Sequence, residues 1–357
     1  MNLSDLTLRI QSAQQDGRFK VLPNSWQGPD FQSNDVLGLA RNSALKTHLL
    51  QRMLNENIPL GAAASRSISG NLPIYHQCES ALAQYAGTQA GILTSSAFQA
   101  NALFFSTIPT RHDRIFYDKS VHASMRLAIH QSKIPSTGFP HADFNALESL
   151  LKKPHAGQTY LAIESVYSMT GSISNKTDLQ SLHQSYGFRL VVDEAHSFGV
   201  LGHQGLGWAL KKDREDWIFA TIIGFGKALG SAGGGILGSQ TLIELLSGTG
   251  KGFIYSTGIH PLAALQVSEL MESPAWIAEG ITQLHKNLNL IHGPKKPNSV
   301  PWILYMPMPK NREWEAKFGL KYLTPPTVDA GQEGYRCMVH AHNTEQELLT
   351  LNGCLRR

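Results

Sequence analysis

Short apolar runs recur along the chain at residues 91–94, 114–117, 160–164, 188–193 and 218–223, and between them apolar residues return every three or four positions. Runs this brief and uniformly apolar predict strands covered on both faces, and the intervening periodicity predicts amphipathic helices. One such helix holds Cys78, Ala81, Leu82 and Tyr85 on one face and stops at Gly87. Two more are expected to start at caps, Asp143 before FNALESLL and Asp178 before LQSLHQSY, the second ending at Gly187. Strands alternating with helices give an α/β fold, a mainly parallel sheet flanked by helices and joined by right-handed crossovers.

The pattern is different at either end. Residues 1–35 are mostly polar, interrupted by Pro23 and Pro29, and read as an N-terminal arm that opens with a short polar helix. From about Pro261 the alternation lapses: GPKKPNSVP precedes strand-like WILYMPM, a PPTVDAG turn and YRCMVHAH. We therefore expect an arm (1–35), a large α/β domain (36–260) and a smaller C-terminal α+β domain (261–357). Neither internal repeats nor low-complexity tracts are present.

Composition narrows the class. With 357 residues, 42% hydrophobic and 16% charged, the chain is long enough for a large core and reads as a globular enzyme. A formal charge of +4 without clustered basic runs argues against nucleic acid and suits an anionic small molecule. Three scattered cysteines, Cys78, Cys337 and Cys354, suggest neither a disulfide framework nor a zinc site. The polar first residues hold no apolar signal core, so cytoplasmic residence is expected.

In such sheets chemistry collects beyond the carboxyl ends of the strands. There the chain places Ser96 to Phe98, His122, Ser168, Asp193 with His196, and Lys227. Lys227 stands out, set in IFATIIGFGKALGSAGGGILG between two apolar runs. A buried lysine must lose its charge or gain a partner, which is how lysines become carbonyl-reactive amines. Three other readings compete. A membrane span conflicts with the central lysine and the glycines; a dinucleotide fingerprint would use Gly224, Gly226 and Gly230, with Glu244 on the ribose; an exposed lysine on a glycine loop would need no function.

VVDEAH invites comparison with a helicase box, but no GxxxxGK[ST] loop lies upstream, and GTGKG lacks a hydroxyl residue after Lys251. A purely structural Asp–His pair is the plainer alternative. Taken together, Asp193, His196 and Lys227 fit one cofactor, pyridoxal 5'-phosphate. That cofactor needs a lysine for its aldehyde and a carboxylate to keep its ring nitrogen protonated. His196 can reach the ring hydroxyl, and His122 is of the right type to cover the ring face.

The chain resembles the α-oxoamine synthases, fold-type I pyridoxal-phosphate enzymes that condense an amino acid with an acyl-CoA. The matching segments are SNDVLGLA, SRSISGNLPIYHQCE, SSAFQAN, DKSVHAS, ESVYSMTG, VVDEAHSFGVLGHQGLG, GFGKALG, IYSTG and PPTVDAG with YR behind it, in the family's order from about residue 33 to 342. The resemblance implies that Lys227 binds the cofactor aldehyde and takes the Cα proton, and that Asp193 pairs with the ring nitrogen. His196 and Ser168 would hold the ring hydroxyl, and His122 would stack on the ring. The amides of Ala97 and Phe98 would bind the phosphate at a helix start, and Ser256 and Thr257 would complete that site from the partner subunit of a homodimer. Asn34 and Arg336 would hold the substrate carboxylate.

The chain departs from the family pattern at several places. Gly224 stands for a threonine that touches the phosphate, and Ala97 for a glycine of the phosphate loop. Ala62 to Ala64 also stand for glycines, Thr170 for an aspartate and Thr324 for an arginine, and the C-terminal part is shorter. A non-catalytic subunit of the same fold is the rival that Gly224 and Ala97 motivate.

Overall fold

The structure is a computed structural model and describes residues 3–17, 19, 21–22, 28–209, 211–292, 296–325, 328 and 330–355. Pro23, the first residues of GPKKPNSVP and much of the PPTVDAG turn fall outside the described residues.

The chain begins with α1 (Leu3–Gln15), which buries none of its side chains; α2 (Ser43–Asn55) and α3 (Pro73–Ala86) follow. Next come β1 (Ala90–Thr94), α4 (Ala97–Thr107), β2 (Arg114–Asp118), α5 (Ala123–Ser132), β3 (Ser136–Phe139) and α6 (Phe144–Leu151). The alternation continues through β4 (Thr159–Glu164), α7 (Lys176–Tyr186), β5 (Arg189–Asp193), α8 (Lys211–Asp216), β6 (Ile218–Gly224) and β7 (Gly234–Gly238). Helices α9 (Gln240–Thr249), α10 (Lys251–Ile254), α11 (Pro261–Glu272) and α12 (Ala275–Asn289) precede β8 (Ile303–Pro307), α13 (Arg312–Phe318), β9 (Tyr322–Leu323), β10 (Gly334–Met338) and α14 (Glu345–Leu355).

Seven strands form one sheet in the order β1-β7-β6-β5-β4-β2-β3, and three form a second in the order β8-β10-β9. In the large sheet only β7 runs against its neighbours β1 and β6, and the small sheet is antiparallel. Successive residues of the central strands feed opposite cores, because strand side chains alternate faces. Tyr160, Ala162 and Val191 pack with Phe104, Met125 and Ile222 on one side; Leu161, Ile163, Leu190 and Val192 pack with Phe116, Leu179 and Trp217 on the other. Each such aliphatic side chain contributes about 1.5–3 kcal/mol when buried. A third apolar cluster runs from Phe31 and Leu45 through Leu265 to Trp302 and Tyr335, so the last part of the chain is packed onto α2, α3 and α11.

One expectation needs correction, and two of the competing readings of the Lys227 stretch fall away. α7 is capped by Asn175, whose side chain accepts the amides of Thr177 and Asp178, so Asp178 lies inside the first turn. Asparagine satisfies the orphan amides as well as aspartate does, and three residues earlier. Asp143 does cap α6 and Gly187 does end α7, with φ of 66°. The stretch around Lys227 is two antiparallel strands joined by a tight connection, so it is neither a membrane helix nor a dinucleotide loop, which would have to open a helix after its glycines. Among the described residues, no helix is long and apolar enough to cross a membrane.

Candidate active site

The carboxyl ends of β4, β5 and β6 and the N-termini of α4 and α5 enclose a cavity of about 280 Å³. That is at the lower edge of the ~300–1,000 Å³ usual for small-molecule sites. Ala97, Phe98, His122, Asp193, His196 and Lys227 all line it.

The β6–β7 connection delivers the lysine. Phe225, fully buried, closes the turn by hydrogen bonds with Gly233 and Ser231 at 3.0 and 2.9 Å. Gly230 has φ of +58° with its α-carbon pressed against the backbone of Leu39 and Ala40, leaving no place for a side chain. Lys227 therefore projects from a rigid turn, and its Nζ lies 2.8 Å from Nε2 of His196. Burial lowers the lysine pKa, although Asp193 opposes the shift. His196 is held well below the ordinary histidine value by burial and then by the Lys227 charge.

Asp193 ends β5 and is 5% exposed. Its Oδ1 accepts the Ala195 amide at 2.9 Å and its Oδ2 the Asn101 side-chain amide at 3.1 Å. His122 caps α5, with Nδ1 accepting the Ser124 amide at 3.2 Å, and burial lowers its pKa. At the start of α4, Ser96 caps the helix through Gln99, which leaves the amides of Ala97 and Phe98 without an acceptor in the helix itself. A side chain at Gly234 would come within 2.5 Å of the Ala97 nitrogen, so β7 presses its bare backbone against this helix end. The same crowding bears on Gly224, where an added Cβ would sit 3.2 Å from that of Ala195 and 3.4 Å from that of Ala97.

The other expected residues, Asn34, Ser168, Ser256, Thr257 and Arg336, are not among those that line this cavity. Arg336 on β10 donates through Nη2 to Asn34 Oδ1 at 2.9 Å, which brings those two together across 302 positions. Its buried Nε has no partner among the described residues, and burial lowers its pKa to about 10. Ser168 does not line the cavity; its amide donates to Glu164 Oε2 at 3.3 Å. Ser256 and Thr257 also lie outside it, and Ser256 Oγ accepts from Gln99 Nε2 of the same chain at 3.0 Å.

Sequence reasoning overlooked Asn101, Ser124 and Glu164. Asn101 is fully buried in α4 beside the buried apolar residues Ala100, Leu103, Phe104 and Phe105, and a polar residue in that company was the available signal. Glu164 closes a buried strand just as Asp193 does. Among the described residues, no group of three or more His, Cys, Asp and Glu side chains could hold a metal ion.

A largely buried lysine of lowered pKa, a buried carboxylate and a helix N-terminus at one end of a mainly parallel sheet define a fold-type I pyridoxal-phosphate enzyme. The family described as "Aminotransferase class I and II" matches residues 30–316. A putative 8-amino-7-oxononanoate synthase of Halalkalibacterium halodurans is 32% identical over 336 residues, covering 89% of this chain and 84% of that protein. The 8-amino-7-oxononanoate synthase of Gluconacetobacter diazotrophicus is 32% identical over 340 residues, covering 88% and 84%. Among solved structures, serine palmitoyltransferase of Sphingomonas wittichii superposes with a TM-score of 0.84 at 20% identity, covering 99% and 97% of the two chains. The 8-amino-7-oxononanoate synthase of Francisella tularensis superposes with a TM-score of 0.72 at 23% identity, covering 92% and 97%. The chain belongs to the aminotransferase class I and II family and, within it, to the α-oxoamine synthase group of pyridoxal-phosphate-dependent acyltransferases.

The residues present fit that cofactor. The helix start offers free amides to a phosphate, Asp193 presents a carboxylate at the cavity wall, and Lys227 offers an amine whose charged form is disfavoured.

Proposed function

We propose that the protein joins L-alanine to pimeloyl-CoA, or to the same acyl group on a carrier protein, releasing carbon dioxide and the free thiol and leaving 8-amino-7-oxononanoate, a step of biotin biosynthesis. The observation that carries this reading is the Lys227–His196 contact of 2.8 Å in the same cavity as Asp193. The names of the curated relatives supply the product, 8-amino-7-oxononanoate.

Bound pyridoxal phosphate supplies an electron-withdrawing ring. Asp193 keeps a proton at the ring nitrogen, favoured by the opposite charges at close range. His122 covers one ring face, and His196 and Ser168 hold the ring hydroxyl. The amides of Ala97 and Phe98 bind the phosphate, with Ser256 and Thr257 contributed by the other subunit of a homodimer. Lys227, its pKa lowered by burial, takes the Cα proton from the amino acid. Arg336, with an unpartnered buried Nε, and Asn34 beside it orient the amino-acid carboxylate. The division into 1–35, 36–260 and 261–357, and cytoplasmic residence with its three buried free cysteines, belong to the same proposal.

Incubating the protein with pyridoxal phosphate and pairs of amino acid and acyl thioester tests this. Thiol release should be fastest with alanine and the pimeloyl thioester, and borohydride reduction should leave the pyridoxyl group on Lys227. Faster release with glycine and acetyl-CoA or a longer acyl-CoA would make the protein a different α-oxoamine synthase. No release with any pair would leave a non-catalytic subunit of the same fold.

A further inference from the structure

Glu164 has no part in the roles assigned above, yet it is among the least accessible polar residues of the cavity. It is the last residue of β4, is 3% exposed, and faces Asp193 directly across the β4–β5 ladder. Two carboxylates side by side at a strand end oppose one another, and an arrangement so unfavourable calls for specific partners. Glu164 has two. Its Oε1 accepts the backbone amide of His122, and its Oε2 accepts that of Ser168 at 3.3 Å. The first amide opens α5, and the second lies in the loop after β4. A third bond, from Ser174 Oγ to the Glu164 carbonyl at 2.7 Å, holds the strand end.

We propose that Glu164 is a positioning residue of the cofactor site, whose single carboxylate spans the amides of His122 and Ser168 and so fixes the imidazole that covers the ring relative to the hydroxyl beside it. Burial and the neighbouring Asp193 push the Glu164 pKa up to about 8, while both amides and the Lys227 charge favour its ionised form. Lengthening or rotating this side chain moves both amides together, because each oxygen holds one of them. This proposal rests on His122 and Ser168 flanking the ring as stated under Proposed function.

Glu164→Gln is the informative variant. Glutamine keeps the size and one acceptor oxygen but turns an NH₂ group toward the other amide. Three quantities are to be read in wild type and in a His122→Ala/Ser168→Ala background: pyridoxal phosphate affinity by equilibrium dialysis, visible circular dichroism of the bound cofactor, and melting of the cofactor-free protein. Glu164→Gln should weaken cofactor binding about tenfold or more and diminish the visible dichroism. It should leave the cofactor-free melting temperature nearly unchanged. In the background lacking both side chains, the same substitution should alter affinity less than about twofold, because nothing remains to be positioned. Unchanged affinity and dichroism overturn the proposal, and so does a loss that persists in full in that background. If Glu164→Gln does not fold, Glu164→Asp is read the same way; it retreats by one methylene, reaches one amide only, and should show the same background dependence. Failure of the wild-type protein to take up pyridoxal phosphate would overturn the reading of the site itself, and would be seen before any variant is compared.

Discussion

Asn101 on α4 donates its side-chain amide to Oδ2 of Asp193 at 3.1 Å, joining the helix after β1 to the carboxylate that ends β5. The same amide reaches the Ala97 carbonyl and Ser124 Oγ, each at 3.2 Å, so one residue ties the first turns of α4 and α5 to the end of β5. A hydrogen bond to a charged group contributes about 1.5–3 kcal/mol. Asn101→Leu should therefore raise the dissociation constant for pyridoxal phosphate by about ten- to a hundredfold, as measured by titration of cofactor absorbance. An unchanged constant would mean that Asp193 does not depend on this donor.

Gly224 and Ala97 should behave as a pair. A threonine at 224 would bring its Cβ to 3.2 Å from that of Ala195, tighter than ordinary contact, and to 3.4 Å from that of Ala97, at the edge of ordinary contact. Gly224→Thr alone is expected to gain little cofactor affinity, because the crowding offsets the new hydroxyl. Adding Ala97→Gly relieves one of the two contacts, and the double variant should bind pyridoxal phosphate more tightly than Gly224→Thr by about 0.5–3 kcal/mol of coupling. Equal affinity of single and double variants would sink the idea.

The buried histidines give the stability a definite pH dependence. Burial lowers the pKa of His122, His196 and His340. Below the unfolded value of 6.5 the unfolded chain takes up protons that the folded chain refuses, so stability is full above that value and falls as pH drops toward the folded values. Melting of the cofactor-free protein should accordingly fall between pH 7 and pH 5, and His196→Asn should flatten the decline. Glu164, its pKa raised to about 8, opposes this trend, so the histidine share is read as the difference between wild type and His196→Asn; no difference would contradict the burial of that ring.

Glu194 of the DEAH sequence is structural. It is fully buried, pairs with Arg214 at 2.8 Å and accepts the amide of Trp208 at 2.7 Å and the Ser197 hydroxyl at 2.9 Å. Removing one member of such a pair leaves a buried charge alone, which costs about 3–5 kcal/mol. Arg214→Met should lower denaturant stability by about that much; a loss below 1 kcal/mol would show that the pair is solvated.

Ala63 holds a left-handed backbone with φ of 58°. That conformation costs a non-glycine residue about 1–2 kcal/mol; Ala63→Gly relieves it, and the gain is offset in part, by about 0.4–1 kcal/mol, because glycine loosens the unfolded chain. A small net rise in melting temperature is expected, and a fall would imply that the alanine methyl makes a contact worth more than the strain.

Much of the architecture was legible because β4, β5 and β6 are buried almost throughout, which makes them uniformly apolar and easy to see. Two strands of the large sheet escaped for opposite reasons. β3, STGF, is an edge strand with exposed residues and carries little apolar signal. In β7, GGILG, glycines at the close approaches of α4, β1 and α9 hide a fully buried strand. Lys227, Asp193 and His196 were readable because strand ends concentrate their chemistry in short motifs. Asn101 and Glu164 were not, since their importance lies in hydrogen bonds to residues tens of positions away.

Asp193 and the stretch leading to Lys227 ride on adjacent strands, paired through Val192 with Thr221 and Asp193 with Ile222. The gap between acid and amine is thus set by a ladder of main-chain bonds and not by the two dozen residues that loop between the strands. Exposed residues of that stretch, such as His203 and Lys212, can change over evolutionary time without altering the gap, so long as the two rungs stay in step, whereas His196 and the buried Glu194–Arg214 pair are held in place.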